Sequence, residues 1–506
     1  MPRFEYQTHL PFSRHDVFDW YSRPGALVRL HPPFAGRVLQ EPDEGLTEGS
    51  ESTLGINLPG LWGTALAAAA EMAGQALPIP LRGWLRWQAR HTGYEPDRRL
   101  DDEMLSGPAA SWQHQREFTD DGAGAVLHET VDYRLPLLDR LPSAVADPAA
   151  RRFEAELRRI FDFRARQTSM DLAFHQGYGR LASQQAAGQD DAPDKAGVVA
   201  LSGASGMIGR QVRALLGGAG VEVRRLVRAA PDDVAASAGE IAWDPSAGRL
   251  DPSALEDVDV VIHLAGHPLA ARFTEDHKKK VLASRVQGTE LIAETLAQLE
   301  KADGRGRALV SGSAIGFYGA RPMDREHDDE LLTEEHPPGR DFLADVCRRW
   351  EAATRPAEEA GVRVVTIRTG LVQSPAGGVL AQMLPLFAIG AGGPLGQEQW
   401  QSWIGLDDIT GLIVHAAFTP SVEGPVNAAA PNPVTARQYA RTLAAVMHRP
   451  AAIPVPSFGP ALLLGAEGAR QLAQADQRVS AERAIFHGYG FRHTQLDAAL
   501  RHLLGR

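Results

Sequence analysis

Val198-Val199-Ala200-Leu201-Ser202-Gly203-Ala204-Ser205-Gly206-Met207-Ile208-Gly209, followed at once by Arg210-Gln211-Val212-Arg213-Ala214-Leu215-Leu216, is the stretch that decides the fold. An apolar run of strand length meets three glycines spaced three apart, and a helical pattern begins. Gly203 turns the chain sharply off the strand, Gly206 lets backbone N–H groups approach a pyrophosphate, and Gly209 lets helix and strand pack closely. The anion then sits at the positive end of the helix dipole. Such glycine spacing by itself marks any glycine-rich turn; strand, turn and helix in this order meet the context a dinucleotide site requires. The predicted cradle is Gly203, Ser205, Gly206, Met207, Ile208 and Gly209.

Working outward, Val221 to Arg228 reads as the second strand, and Ile241 to Asp244 as the third, placing Asp244 near the adenine edge. Val258 to His263 is the fourth, ending in Leu264-Ala265-Gly266, where small residues let backbone pass close to a cofactor. Ala308 to Ser313, with Ser311 at the same edge, is the fifth, and Val362 to Ile367 the sixth. Strands alternating with helical patterns predict an α/β, Rossmann-type doubly wound parallel sheet with ligands at the strands' carboxyl ends. At the end of the second strand a fold that prefers NAD places a carboxylate for the ribose 2′-hydroxyl. Here Arg228 stands instead, with no carboxylate until Asp232. A guanidinium pairs with a 2′-phosphate, so the expected cofactor is NADP(H). The bland alternative is a solvated arginine in a basic cluster with Arg224 and Arg225.

The glycine motif, His263-Leu264-Ala265-Gly266, Ser311-Gly312-Ser313 to Tyr318-Gly319 and Arg368-Thr369-Gly370 resemble extended short-chain dehydrogenase/reductases. Trp243-Asp244-Pro245, Cys347-x-x-Trp350-Glu351, Gly392 to Gly396, Ser402-Trp403-Ile404 before Asp407-Asp408, Gly424-Pro425-Val426-Asn427 and His448-Arg449-Pro450 narrow the likeness. They are similar to the atypical, nucleoside-diphosphate-sugar epimerase-like branch of the NAD-dependent epimerase/dehydratase family, from about residue 197 to the C-terminus. Such reductases use a tyrosine and, four residues later, a lysine that holds the cofactor ribose and lowers the phenol's pKa. Aligned on Glu351, those positions hold Leu343 and Cys347. The acid/base pair is missing. Ser313 is the candidate to polarise a substrate carbonyl, and Tyr318 is the nearest phenol in sequence; a structural serine and a packing tyrosine are the competing readings. Cys347 reads as a small buried hydrophobe. Leu380 to Gly396 is expected to line the substrate cleft, in a C-terminal lobe from about residue 375, with Trp400 and Trp403 at its mouth.

Upstream, Phe4, Tyr6, Thr8 and Leu10 alternate like one face of a strand, and Ser13 caps a helix carrying Val17, Phe18, Trp20 and Tyr21. Strand-like runs follow at Gly83 to His91, Leu100 to Ser106, Ser111 to Thr119 and Ala125 to Leu135, then an amphipathic helix with Phe153, Leu157, Ile160 and Phe161 on one face. Leu61 to Pro78 reads as an alanine-rich helix or a cavity-lining insert. This order, with Arg23 to Leu27 and Leu30 to Phe34, resembles the START-like (polyketide cyclase/dehydrase) helix-grip superfamily, which implies an α+β domain enclosing an apolar ligand. His31, His91 and His128 are candidates to line such a cavity, against the reading of ordinary structural histidines. The expected division is residues 1–175, a linker at 176–196 and a cofactor domain at 197–506.

The net charge of −11 argues against nucleic acid and anionic membrane surfaces as partners. A single cysteine forbids an intrachain disulfide, and the N-terminus lacks an apolar signal core, so a cytoplasmic location is expected. No zinc-type spacing, P-loop or Gly-x-Ser-x-Gly turn is present, so no metal is expected. The reading is an NADP(H)-dependent oxidoreductase or epimerase-like enzyme for a small molecule, fused to a hydrophobic-ligand domain. Its rival is a non-catalytic, NADP(H)-responsive regulatory module, motivated by the missing pair; sugar-nucleotide epimerisation is a third reading, which the absent phenol weakens.

Overall fold

The computed structural model describes residues 2–42, 45–76, 83–122, 124–136, 142–186, 197–228, 239–320, 330–394, 398–451 and 458–506. Its first unit contains β1 (Arg3–Leu10), α1 (Arg14–Ser22), α2 (Ala26–Leu30), β2 (Gly36–Gln40), β3 (Glu51–Asn57) and α3 (Gly60–Ala76). It continues through β4 (Trp84–Glu95), β5 (Arg99–Ser106), β6 (Ser111–Asp121), β7 (Gly124–Arg134) and α4 (Ser143–Ala186). The strands form one antiparallel sheet in the order β1-β7-β6-β5-β4-β3-β2. Alternation drives it: Phe4, Val131 and Tyr133 bury one face against Leu157 and Phe161 of α4. The Ser13 side chain accepts from the Asp16 N–H and starts α1, as its position before the apolar pattern requires.

The second unit opens with β8 (Val198–Ser202), α5 (Met207–Gly218), β9 (Glu222–Arg228), β10 (Glu240–Asp244), β11 (Arg249–Leu250) and β12 (Val260–His263). Then come α6 (Glu275–Asp303), β13 (Ala308–Ala314), α7 (Phe342–Ala352), α8 (Arg355–Glu359) and β14 (Arg363–Thr369). β15 (Leu371–Gln373), α9 (Gly378–Ala388), β16 (Trp400–Gln401), β17 (Trp403–Gly405), α10 (Leu406–Phe418) and β18 (Gly424–Ala428) complete the part that matters for the site. The main sheet runs β11-β10-β9-β8-β12-β13-β14-β18, parallel from β10 to β18. Its central strands β8 and β12 are continuous apolar runs because helices cover both faces, whereas β9, with Glu222, Arg224, Arg225 and Arg228, is half-buried or exposed save at Leu226. Strand order reverses between β8 and β12, which puts the glycine turn at the topological switch point of a Rossmann-like fold.

The segment expected as a linker differs from a simple tether. α4 runs on through Ala186, so its first part is helical, and residues 187–196 lie outside those described. The two units also share buried contacts. Arg29 of α2 donates from Nε and Nη2 to Asp171 of α4 (2.7 and 2.9 Å) and from Nη2 to Asp407 of α10 (2.6 Å). The alanine-rich stretch is helical as far as Ala76, residues 77–78 lying outside those described, and Leu61 and Ala65 of α3 pack on Leu380, Leu384 and Phe387. That contact overturns the expectation that Leu380 to Gly396 lines the substrate cleft, because α9 spends its apolar face on α3 and the C-terminal helices. Residues 395–397 lie outside those described.

Candidate functional site

The three glycines do three different jobs. Gly203 has φ +70°, and a Cβ there would lie 2.8 Å from the Ala265 nitrogen and the Leu264 carbonyl carbon. At Gly209 a Cβ would lie 2.2 Å from the Gly203 oxygen, so only hydrogen permits the close approach of α5 to β8. Gly206 is the helix N-cap, with ordinary extended backbone (φ −69°, ψ 167°), and a Cβ there would meet only the Gly203 oxygen, at 3.2 Å. Its open side faces a cavity of about 450 Å³ lined by Gly203, Gly206, Met207, Ile208 and Gly209 at this end. The first-turn amides of a helix have no intrahelical acceptor, so the cradle presents donors to an anion.

A link that sequence reasoning missed fixes the opposite lip. Ser202 and His263, the last residues of neighbouring parallel strands, are paired in register, and Ser202 Oγ lies 2.6 Å from His263 Nδ1. The same Oγ accepts from the Leu264 and Ala265 N–H groups at 3.2 and 3.3 Å, so its own proton goes to His263. Burial pushes His263 down to about 4, keeping it neutral. Two polar residues closing adjacent apolar strands were the available signal.

Farther in, the cavity is walled by Ser313, Leu343, Cys347 and Trp350, and by Trp400, Gln401 and Ser402. Leu343 and Cys347 thus face the space where a phenol and an ammonium are expected. Burial pushes the Cys347 thiol up to about 12, which makes it inert. Trp403 is not at the mouth: it is buried, and its indole N–H donates to the Asn432 carbonyl. Ser313 Oγ donates to Glu351 Oε1 (2.7 Å), and Arg368 grips both Glu351 oxygens from Nε and Nη2 (2.9 Å each). Arg368 Nη1 reaches the Tyr318 hydroxyl (3.1 Å), which donates to Asn427 Oδ1 (2.7 Å).

Tyr318 therefore does not reach the cavity. A short helical turn, Ile315–Tyr318, folds its buried ring back into the network, where burial raises the phenol to about 12. Ser311 is fully buried and Asp244 holds its own turn, accepting from Ser246 and Ala247; neither lines the cavity. Arg228 is exposed at the end of β9. Ser205, Ala265 and Gly266 are also outside the cavity wall, the last packed beside Arg285.

Arg285 is the other residue that sequence reasoning overlooked. It lines the cavity from α6, with its guanidinium 5.1 Å from the Trp350 ring centroid and Nη1 on the His267 and Val281 carbonyls. No carboxylate pairs with it among the described residues, and burial lowers its pKa. A partly buried cation without an anion is a candidate for a ligand's phosphate or ribose oxygens.

Residues 199–425 match the NAD dependent epimerase/dehydratase family, and 455–503 match a domain of unknown function. Epimerase family protein Mb2239 of Mycobacterium bovis is 37% identical over 307 residues, which cover 60% of this chain and 96% of that one. The chain belongs to the epimerase family. Within this family, human epimerase family protein SDR39U1 is 33% identical over 60% of this chain and 99% of its own. Its crystal structure with NADPH (28% identity) has a TM-score of 0.52, covering 61% of this chain and 99% of that one. The nucleoside-diphosphate sugar epimerase of Corynebacterium glutamicum is 31% identical, with a TM-score of 0.72, and spans 99% of this chain and 90% of its own, so the likeness extends to both units. Among the described residues of this epimerase-family chain no helix is long and apolar enough to cross a membrane, and no His, Cys, Asp and Glu cluster could hold a metal ion.

Proposed function

We propose that this epimerase-family protein is an NADP(H)-dependent oxidoreductase or epimerase-like enzyme acting on a small molecule. The observation that carries the reading is the open side of Gly206, continuous with a cavity that reaches Ser313. Gly203, Gly206 and the first turn of α5 would hold the pyrophosphate, Arg228 the 2′-phosphate, and Arg285 a further oxygen of the cofactor. The human relative crystallised with NADPH supports NADP(H) over NAD. When bound, nicotinamide accepts or returns a hydride at its C4.

The chain's own part is the proton. Arg368 donates to both oxygens of Glu351, which accepts from Ser313. A substrate hydroxyl in the cavity gives its proton to Ser313 as Ser313 gives its own to Glu351, while the hydride leaves the carbinol carbon; reduction runs the relay backwards. This relay would stand in for the tyrosine missing at Leu343. The apolar faces of Leu343 and Cys347 in the same cavity favour a second reading, a cofactor-responsive module without turnover. The N-terminal unit, residues 1–175, is on this proposal a START-like helix-grip domain for a hydrophobic ligand: it holds a cavity of about 390 Å³ between its sheet and α4. His31 and His91 line that cavity and His128 does not. The cytoplasm is the proposed location.

The test incubates the full chain with NADPH deuterated at C4, each epimer separately, and a metabolite extract. Enzyme-dependent deuterium in a metabolite, read by mass spectrometry, is the expected result. No label, with NADPH binding demonstrated by fluorescence titration, would leave only the regulatory reading.

A further inference from the structure

The cavity of the N-terminal unit has two chemically different ends. Trp87 and Trp112, in edge-to-face contact at 5.0 Å, make one end with Phe153, Leu157 and Ile160 of α4. Sheet register builds the other. His91 pairs with Asp102 and Asp102 with His114 across β4, β5 and β6, so three polar side chains share one row facing the cavity. Arg116 and, from α4, Arg164 complete that end.

The charges at the polar end balance before any ligand enters. Arg116 pairs with Asp102, and Arg164 Nη2 with Glu129 (3.1 Å), which His114 Nε2 also touches (3.2 Å). The histidines stay neutral, since burial lowers His91 and His114. What remains unmatched is hydrogen-bond donors. Arg116 Nε and Arg164 Nε are buried without a hydrogen-bond acceptor, Glu129 Oε1 standing 3.9 Å from the former. An arginine nitrogen only donates, and a buried donor without an acceptor is costly, so the polar end lacks acceptor oxygens.

We infer that this cavity binds a hydrophobic carboxylic acid, its apolar body against Trp87, Trp112 and α4 and its carboxylate toward Arg116 and Arg164. A carboxylate is acceptor-only and matches the unpaired arginine donors; an alcohol brings a donor of its own, and an ammonium brings only donors where Asp102 and Glu129 are already taken by Arg116 and Arg164. The inference rests on the proposal that this cavity is a ligand site and adds the chemistry of its head group.

The experiment titrates the full chain calorimetrically with decanoic acid, decan-1-ol and decylamine. The acid is expected to bind about tenfold or more tighter than the alcohol, with the amine weakest. Ala89→Phe, which fills the cavity, should abolish binding of all three. Equal binding of acid and alcohol, still lost in Ala89→Phe, would overturn the head-group assignment and leave the ligand site standing. No binding, or binding that Ala89→Phe leaves unchanged, would overturn both.

Discussion

Replacing Gly206 with valine separates the cofactor cradle from the fold that carries it. The backbone at Gly206 is one any residue adopts, and the Gly203 oxygen, at 3.2 Å, is the nearest atom to an added Cβ. The cost to folding is a small contact plus the loss of a tolerated N-cap residue, about 1 kcal/mol. The two γ-methyls then occupy the space through which the first-turn amides of α5 meet an anion. Overfilling a close-fitting site costs about 1–3 kcal/mol, which is about 5- to 150-fold in affinity. Gly209→Ala should behave in the opposite way. Its Cβ lies 2.2 Å from a backbone oxygen, so strand or helix must shift, and the loss appears in stability before it appears in binding. NADPH fluorescence titration and urea unfolding on both variants make the comparison. Retention of wild-type NADPH affinity by Gly206→Val, or equal destabilisation by the two substitutions, would refute the assignment of the cradle.

Two further perturbations test the surroundings. Arg285→Met should weaken NADPH binding about tenfold while leaving stability within about 1 kcal/mol, because the guanidinium has no carboxylate to strand; unchanged affinity would make it a purely structural cation. Arg29→Met removes one of the two cations on the buried Asp171 and Asp407, leaving Arg492 on Asp171 (2.7 Å), and should cost about 3 kcal/mol in urea unfolding at pH 7. In the wild type Asp171 is held down to about 2 and Asp407 well below the usual carboxylate range, so their stabilisation is full above the unfolded carboxyl range near pH 4 and is lost as pH falls through the folded values. In the variant the two carboxylates, left with Arg492 and His502, take up protons more readily, so the deficit should shrink from pH 7 to pH 4; a constant deficit would show that packing, not charge, holds this contact.

The centre of the parallel sheet was legible because β8 and β12 are buried on both sides and read as short apolar runs before the Gly203 turn and Leu264-Ala265-Gly266. The alternating strands β1 and β4 to β7 were legible for the complementary reason, one buried face. β2 and β3 escaped notice, being short and interrupted by Arg37, Gln40 and Gly55. Periodicity says that Gly60–Ala76 is a helix but not what it covers, and so the apolar Leu380 to Gly396 looked like a cleft wall when α9 was matched to α3. Tyr318 failed as a catalytic candidate because sequence distance from Ser313 carries no information about which way one turn of helix aims a ring. Arg285 was invisible for the converse reason: its meaning lies in lacking a carboxylate, and a sequence does not display missing partners.

The fusion is more than two units joined by a helix, because both lean on α5. Gly25 sits so close to this helix that a Cβ would come within 2.4 Å of the Ala214 oxygen, and one at Gly217 would meet the Pro24 oxygen at 2.5 Å. Arg210 donates to the Val38 carbonyl (2.6 Å), Arg213 pairs with Glu41, and Arg29 donates to Gln211 (2.7 Å). The loop from Arg23 to Leu27 and Glu41 also line the N-terminal cavity. One helix thus begins at the cofactor cradle and lies along the wall of the other site. Backbone packed this tightly does not deform gradually, so a ligand that repositions the loop must carry α5 with it or break these contacts. Any coupling through that helix is reciprocal: a cofactor that fixes the N-terminus of α5 biases the N-terminal cavity by the same free energy with which an occupant of that cavity biases cofactor binding.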